Sequence, residues 1–197
     1  MLDTDPERHD HMPLLTSGPP RMGMTKEVFK CPWFRVHEEA WDDFSDLDRQ
    51  PFYRIESSDG VLVLALTKNE EIILVRQFRH AIRRTTLEFP AGTVDRSESP
   101  EKAAARELLE ETGYRSARLV ELGSGHLMVN RFSSKGFFFL AQDCQLDNSV
   151  PLKESEEVVL LFPGQFKDLV LAGEFEQMSA LSLLSLAEWT TGLRLLG

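Results

Sequence analysis

Residues 92–114 read GTVDRSESPEKAAARELLEETGY. Ser99-Pro100-Glu101 is a helix start: an N-cap serine, proline at the first helical position, then an acid in the first turn. The helix is predicted to run to about Thr112, where Gly113 supplies a stop. Glu107, Glu110 and Glu111 are then spaced i, i+3 and i+4 and share one helix face. Three carboxylates there repel one another, at some tenths of a kcal/mol for each close pair. They also occupy the last turns, where the macrodipole disfavours negative charge. A helix that tolerates both penalties invites a cation. Carboxylates without Cys or His suit hard cations such as Mg²⁺ or Mn²⁺. A solvated acidic face is the competing reading for three glutamates taken alone.

Strands are expected on either side. Residues 61–66 (VLVLAL) form a continuous apolar run, as in a strand buried on both faces. Lys68-Asn69-Glu70-Glu71 is a polar turn, and Ile72-Ile73-Leu74-Val75 returns as the second arm of a hairpin. Residues 86–89 make a short strand halted by Pro90 and Gly92. Residues 137–140 and 158–161 read as further buried strands, and 166–172 and 178–189 as two closing helices separated by Gly173. Strands interleaved with helices predict an α/β or α+β layered domain over residues 57–197. Ahead of it, residues 26–56 hold short apolar and aromatic pieces, read as one or two strands. Residues 1–25, with Pro6, Pro13, Pro19 and Pro20 and no periodicity, read as a flexible tail.

The chain of 197 residues is long enough for one sizeable core. Its 22 basic and 32 acidic residues give a net charge of −10, which opposes nonspecific nucleic-acid binding. A small anionic ligand stays possible, because a bound metal inverts the local field. Cys31 and Cys144 have no metal-binding spacing and fit a reducing compartment. No apolar run suits a membrane span, and residues 1–23 hold no hydrophobic signal segment. A cytoplasmic protein with no membrane or nucleic-acid partner is the expectation.

The quoted stretch resembles the Nudix box: Gly, five residues, Glu, seven residues, Arg-Glu, an aliphatic residue, any residue, Glu-Glu, any residue, Gly, and a bulky apolar residue. Every specified position matches, from Gly92 through Glu98 and Arg106-Glu107 to Gly113-Tyr114. At roughly 7% for each fixed residue, chance supplies such a match in this chain on the order of 10⁻⁶ of the time. The resemblance implies a Nudix-type α/β/α sandwich with a mixed central sheet. It implies a loop–helix–loop that holds divalent metal against a diphosphate. By motif position Glu107, Glu110 and Glu111 are the metal ligands, with Ala91 and Gly92 beside them, where glycine lets the backbone come close. Arg106 braces the glutamates, and Glu98 supports the site or contacts metal through water.

Residues 75–80 (VRQFRH) and 87–92 (LEFPAG), with the stretch from Glu157 through Pro163 and the Ala180-Leu181 helix, are similar to ADP-ribose pyrophosphatases and related nucleoside-diphosphate-sugar hydrolases. That similarity implies hydrolysis of the diphosphate bond of a nucleotide sugar, with Mg²⁺ as cofactor and Mn²⁺ as substitute. Arg79, Arg76 and Glu88 become substrate-binding candidates; Glu88 wants a partner on its apolar strand. Arg76, Arg79, Arg83 and Arg84 either hold phosphate by bidentate contacts or pair with the surplus acids. The resemblance also implies a general base in the loop before the last strand, which makes Glu154 and Glu156 the catalytic candidates, Glu154 the first choice. Residues 28–56, with Phe29, Trp33, Phe34, Trp41 and Phe44, are the expected homodimer contact. Asn130 and Lys135 depart from the family pattern, where Pro and Glu often stand, which opens the choice of substrate. A ligand-sensing domain without catalysis is the alternative, although such domains usually lose box glutamates.

Overall fold

The computed structural model describes residues 22–41, 51–149 and 157–195. The chain divides into two compact units between Ile55 and Glu56. In the first, β1 (Met22–Lys30) pairs antiparallel with β2 (Phe34–Trp41), and β2 is followed across the sheet by β3 (Phe52–Ser57). Residues 1–21 of the expected tail lie outside the described residues, and residues 22–25 belong to β1. Three strands stand where one or two were expected. Much of β1 is exposed, so it carries no apolar periodicity to read. Tyr53 donates to Glu38, and Arg54 pairs with the buried Glu39 at 2.7 Å.

The second unit is built on β4 (Gly60–Thr67), whose residues 61–66 are all buried. Alternation along this strand divides the core into two layers. Leu62, Leu64 and Leu66 face one side with Ile72, Leu74 and Phe138. Val61, Val63 and Ala65 face the other with Ile73 and Phe139. The first layer is covered by α2 (Pro163–Leu171) and α3 (Met178–Thr191) through Phe166, Ala180, Leu183 and Leu184. The second is covered by α1 (Pro100–Thr112) through Ala103, Ala104 and Leu108. This is an α/β/α sandwich.

The sheet between them is mixed. Strand β4 runs parallel to β10 (Gly136–Leu146), with Gly60 opposite Gly136. On its other edge β4 pairs antiparallel with two strands in succession. Its start faces β7 (Ala91–Thr93), and its end faces β5 (Ile72–Arg79). Strand β5 also pairs with β6 (Arg84–Glu88) and β11 (Glu157–Leu161). The far side of β10 takes β8 (Tyr114–Arg115) and β9 (Arg118–Gly125), neither anticipated from sequence.

Helix α1 follows its end signals. The Ser99 hydroxyl accepts from the Lys102 amide at 3.3 Å. Gly113 closes the helix at φ 74°, a left-handed conformation that favours glycine, and its N–H donates to the Leu109 carbonyl. Ala103, Glu107 and Glu111 follow at i, i+4 and i+8, so two carboxylates lie on the buried stripe of α1.

Candidate active site

A buried carboxylate costs several kcal/mol unless it is charge-paired or hydrogen-bonded. The partners supplied here organise the site. The Arg106 guanidinium forks onto Glu98, with Nε to Oε1 at 3.1 Å and Nη2 to Oε2 at 2.9 Å. Its Nη1 donates to Glu107 at 2.7 Å, and Nη2 also reaches the Thr93 carbonyl at 2.9 Å. Glu110 lies 3.6 Å from the same guanidinium. One arginine thus ties helix α1, the loop before it and strand β7 together. The Arg106 bonds hold the Glu98 carboxyl below its ordinary value, against a smaller upward push from burial. Glu98 in return raises the Arg106 pKa, so the guanidinium stays charged.

Glu107 and Glu111 approach the strand from the buried side. A methyl group on Gly92 would stand 2.0 Å from the Glu107 carboxylate, so only glycine leaves room for it. Glu111 accepts the Ala91 amide at 3.0 Å. Glu110 is the outward member, with its side chain 44% exposed. Among the described residues, no three acids, histidines or cysteines converge as a ready cation cluster. Glu107 is drawn to Arg106 and Glu111 to the backbone. The donor set nevertheless fits a hard divalent cation: three carboxylates on one helix beside a strand whose glycine leaves a cradle.

Glu88 anchors a second network. Residues Gln77 and Arg79 of β5 sit opposite Thr86 and Arg84 of β6, so Arg79, Thr86 and Glu88 share a face. Arg79 grips Glu88 bidentately at 2.7 and 2.5 Å, and the Thr86 hydroxyl donates to Glu88 at 2.6 Å. Gln177, at the start of α3, donates to Glu88 at 3.4 Å while its Oε1 accepts the Phe89 amide at 2.9 Å. Sequence reasoning missed Gln177, which lies 89 residues from Glu88 and belongs to no motif.

Burial pushes the Glu88 carboxyl up, but the Arg79 fork, the Thr86 hydroxyl and the Arg79 charge together outweigh it. Its pKa therefore falls below the ordinary 4.5. A depressed native value means that the unfolded chain binds the proton more readily. The stabilisation is complete above pH 4.5 and is lost as the pH falls through the native value. Glu88→Gln is expected to cost about 1–2 kcal/mol at pH 7. The variant should also lose less stability on acidification than the wild type. Urea melts at pH 7 and pH 3.5 test this, and parallel losses would show that the Glu88 charge contributes nothing.

A cleft of about 510 Å³ opens beside strand β7. Arg79, Ala91, Gly92 and Gln177 line one part, and Leu127, Met128, Phe132 and Lys135 another. The box carboxylates do not themselves line it. Arg76, expected to bind substrate, is also absent from the lining. It pairs across the strands with Glu157 at 3.0 Å, both side chains being largely exposed. Arg84 pairs with Glu176. Three members of the basic cluster therefore engage acids, and Arg79 alone of the four borders the cleft. Glu154 and Glu156 lie outside the described residues, as does Phe44. Among the described residues, no helix is long and apolar enough to cross a membrane.

The NUDIX domain family model matches residues 57–189, which takes in the box, the cleft, α1, α2 and most of α3. The chain belongs to the NUDIX family. This NUDIX chain is 35% identical to an ADP-ribose pyrophosphatase of Bacillus subtilis (strain 168) over 108 residues, 54% of this chain and 58% of that protein. It is 48% identical to an ADP-sugar pyrophosphatase of Mus musculus over 64 residues, 30% of this chain and 29% of that one. The NUDIX chain thus spans less than two thirds of the length of these curated relatives. Among solved structures, one titled as an ADP compounds hydrolase superposes with a TM-score of 0.71 at 25% identity. It covers 88% of this chain and 95% of that one.

Proposed function

We propose that this NUDIX protein hydrolyses the diphosphate bond of a nucleoside diphosphate linked to another group, with ADP-ribose or another nucleotide sugar as substrate. The observation that carries the reading is the complete box folded as strand, loop and helix, with Arg106 bonded to Glu98, Glu107 and the Thr93 carbonyl at once. The printed activities of the relatives point the same way. Glu107, Glu110 and Glu111 are the proposed ligands of Mg²⁺, for which Mn²⁺ substitutes, with the Ala91–Gly92 backbone alongside. The chemistry a bound divalent cation supplies is Lewis-acid stabilisation of charge developing on phosphoryl oxygens. Arg106 keeps Glu107 oriented and Glu98 in place. Arg79, oriented by its fork onto Glu88, borders the cleft, where a guanidinium suits a phosphate oxygen. A nucleotide-sugar panel with Mg²⁺ and with Mn²⁺ tests the proposal through release of nucleoside monophosphate. Absence of turnover with either metal across the panel would favour a ligand-sensing domain instead.

The proton of the attacking water needs an acceptor, and the box glutamates are poor ones if they are engaged as ligands. Glu154 is the proposed base and Glu156 the second choice. Loss of the base should lower kcat, leave substrate and metal binding intact, and be partly rescued by rising pH. Glu154→Gln and Glu156→Gln variants that each keep most of their kcat across that range would remove the loop from the mechanism.

We also propose a homodimer through residues 28–56 in a cytoplasmic setting. Phe29 and Trp33 are 51% and 77% exposed, and aromatic residues are enriched at interfaces. Light scattering at micromolar concentration should give twice the chain mass, and a monomer alone would end the proposal.

A further inference from the structure

Among the described residues, two charged side chains line the cleft, Arg79 and Lys135. Arg79 is occupied by Glu88. Lys135 is exposed, and among the described residues its ammonium makes no ion pair. The chain carries a net charge of −10, yet the cleft presents this ammonium with no carboxylate against it among the described residues. Asp59 accepts the Lys135 backbone amide at 2.7 Å, a bond that does not involve the ammonium.

The position of Lys135 is fixed by its backbone. Its carbonyl accepts the Gly60 amide at 2.8 Å, and Gly60 pairs on its other side with Thr93, next to Gly92. Two strand spacings therefore separate Lys135 from the edge of the box, about 10 Å. A diphosphate held at the box leaves its attached groups within reach of the long lysine stem. Leu62, Leu127, Phe132 and Phe138 line the same cleft and offer an apolar surface to the rest of a ligand.

We infer that the cleft selects nucleoside diphosphate derivatives carrying a further anionic group beyond the diphosphate, and that Lys135 pairs with that group. The inference rests on the diphosphate-cleaving reading above. A neutral substituent gains nothing from an ammonium, whereas a carboxylate or phosphate gains a charge-assisted hydrogen bond. The anionic group has two chemical sources: a carboxylate on the sugar, or a phosphate on the nucleoside ribose.

Two matched pairs separate them. UDP-glucuronate against UDP-glucose reads the sugar carboxylate, and 2′-phospho-ADP-ribose against ADP-ribose reads the ribose phosphate. Each pair is measured for kcat/KM with the wild type, Lys135→Met and Lys135→Glu, and for binding by calorimetry. The side chain is exposed and its fixed contacts are made by backbone, so both variants should fold. In at least one pair the anionic-to-neutral ratio should fall about two- to fivefold in Lys135→Met and further in Lys135→Glu. The difference should shrink with added salt. The pair that responds identifies the source. Ratios that are the same in all three proteins, in both pairs, would overturn the inference. If no compound is turned over by the wild type, the proposed function fails, while the calorimetric ratios still decide the role of Lys135.

Discussion

Glu110→Gln should lower metal-dependent turnover by about two to three orders of magnitude and leave the fold intact. A ligand of a Lewis-acid cation carries several kcal/mol of transition-state stabilisation, and each 1.36 kcal/mol is tenfold in rate. The structural cost is small, because Glu110 is the outward carboxylate of the three. Its contact to Arg106, at 3.6 Å and partly exposed, is of the kind worth little. Removing one negative charge also relieves repulsion on the helix face. The melting temperature should move by no more than about 2 °C. A variant with near-normal kcat in Mg²⁺ would remove Glu110 from the ligand set. A variant that melts far lower would recast it as a structural residue.

Gly92→Ala should be as damaging to turnover by a different route. The new methyl would overlap the Glu107 carboxylate at 2.0 Å. The carboxylate ends a flexible side chain, so it has somewhere to go, but only by leaving its 2.7 Å bond to Arg106. Overpacking of this kind costs about 1–3 kcal/mol of stability. Displacing a site group by about 1 Å costs on the order of a hundredfold in rate. Turnover should therefore drop about a hundredfold while the protein still unfolds cooperatively. Titration with Mn²⁺ should show weakened metal affinity alongside the loss. Unchanged metal affinity and unchanged kcat together would mean that the close approach of strand β7 to α1 has no part in the chemistry.

The legible parts of the molecule were those where local chemistry and burial agree. The run at 61–66 is apolar because β4 is covered on both faces, and α1 begins and ends at residues that cap helices wherever they occur. Strands β8 and β9 left no such trace. Most of β9 is exposed and it contains Gly123 and Gly125; its pairing with β10 is a tertiary fact. Strand β7 has three residues and follows a proline, below the length at which alternation can be seen. In the site, the spacing of the box placed Glu107 and Glu111 on one stripe. The specific partners, Thr93 carbonyl for Arg106 and Ala91 amide for Glu111, depend on how strand and helix meet. Arg76 looked like Arg79 in sequence, being three residues away on the same strand. An odd separation along a strand puts two side chains on opposite faces, and only one of these faces has the cleft.

The parallel pairing of β4 with β10 has a kinetic side. Asp59 and Lys135, which are bonded across it, stand 76 residues apart, and the whole box lies in the loop between them. Closing a loop of that length carries an entropic penalty of about 4 kcal/mol from its logarithmic dependence on length alone. Hairpins such as β5–β6 close far sooner. The centre of the sheet is thus joined late in folding, and the wall bearing Lys135 meets the strand bearing Gly92 only when that loop closes. Chains caught before then expose the apolar edge of β4, which makes the slow step also the one most open to aggregation.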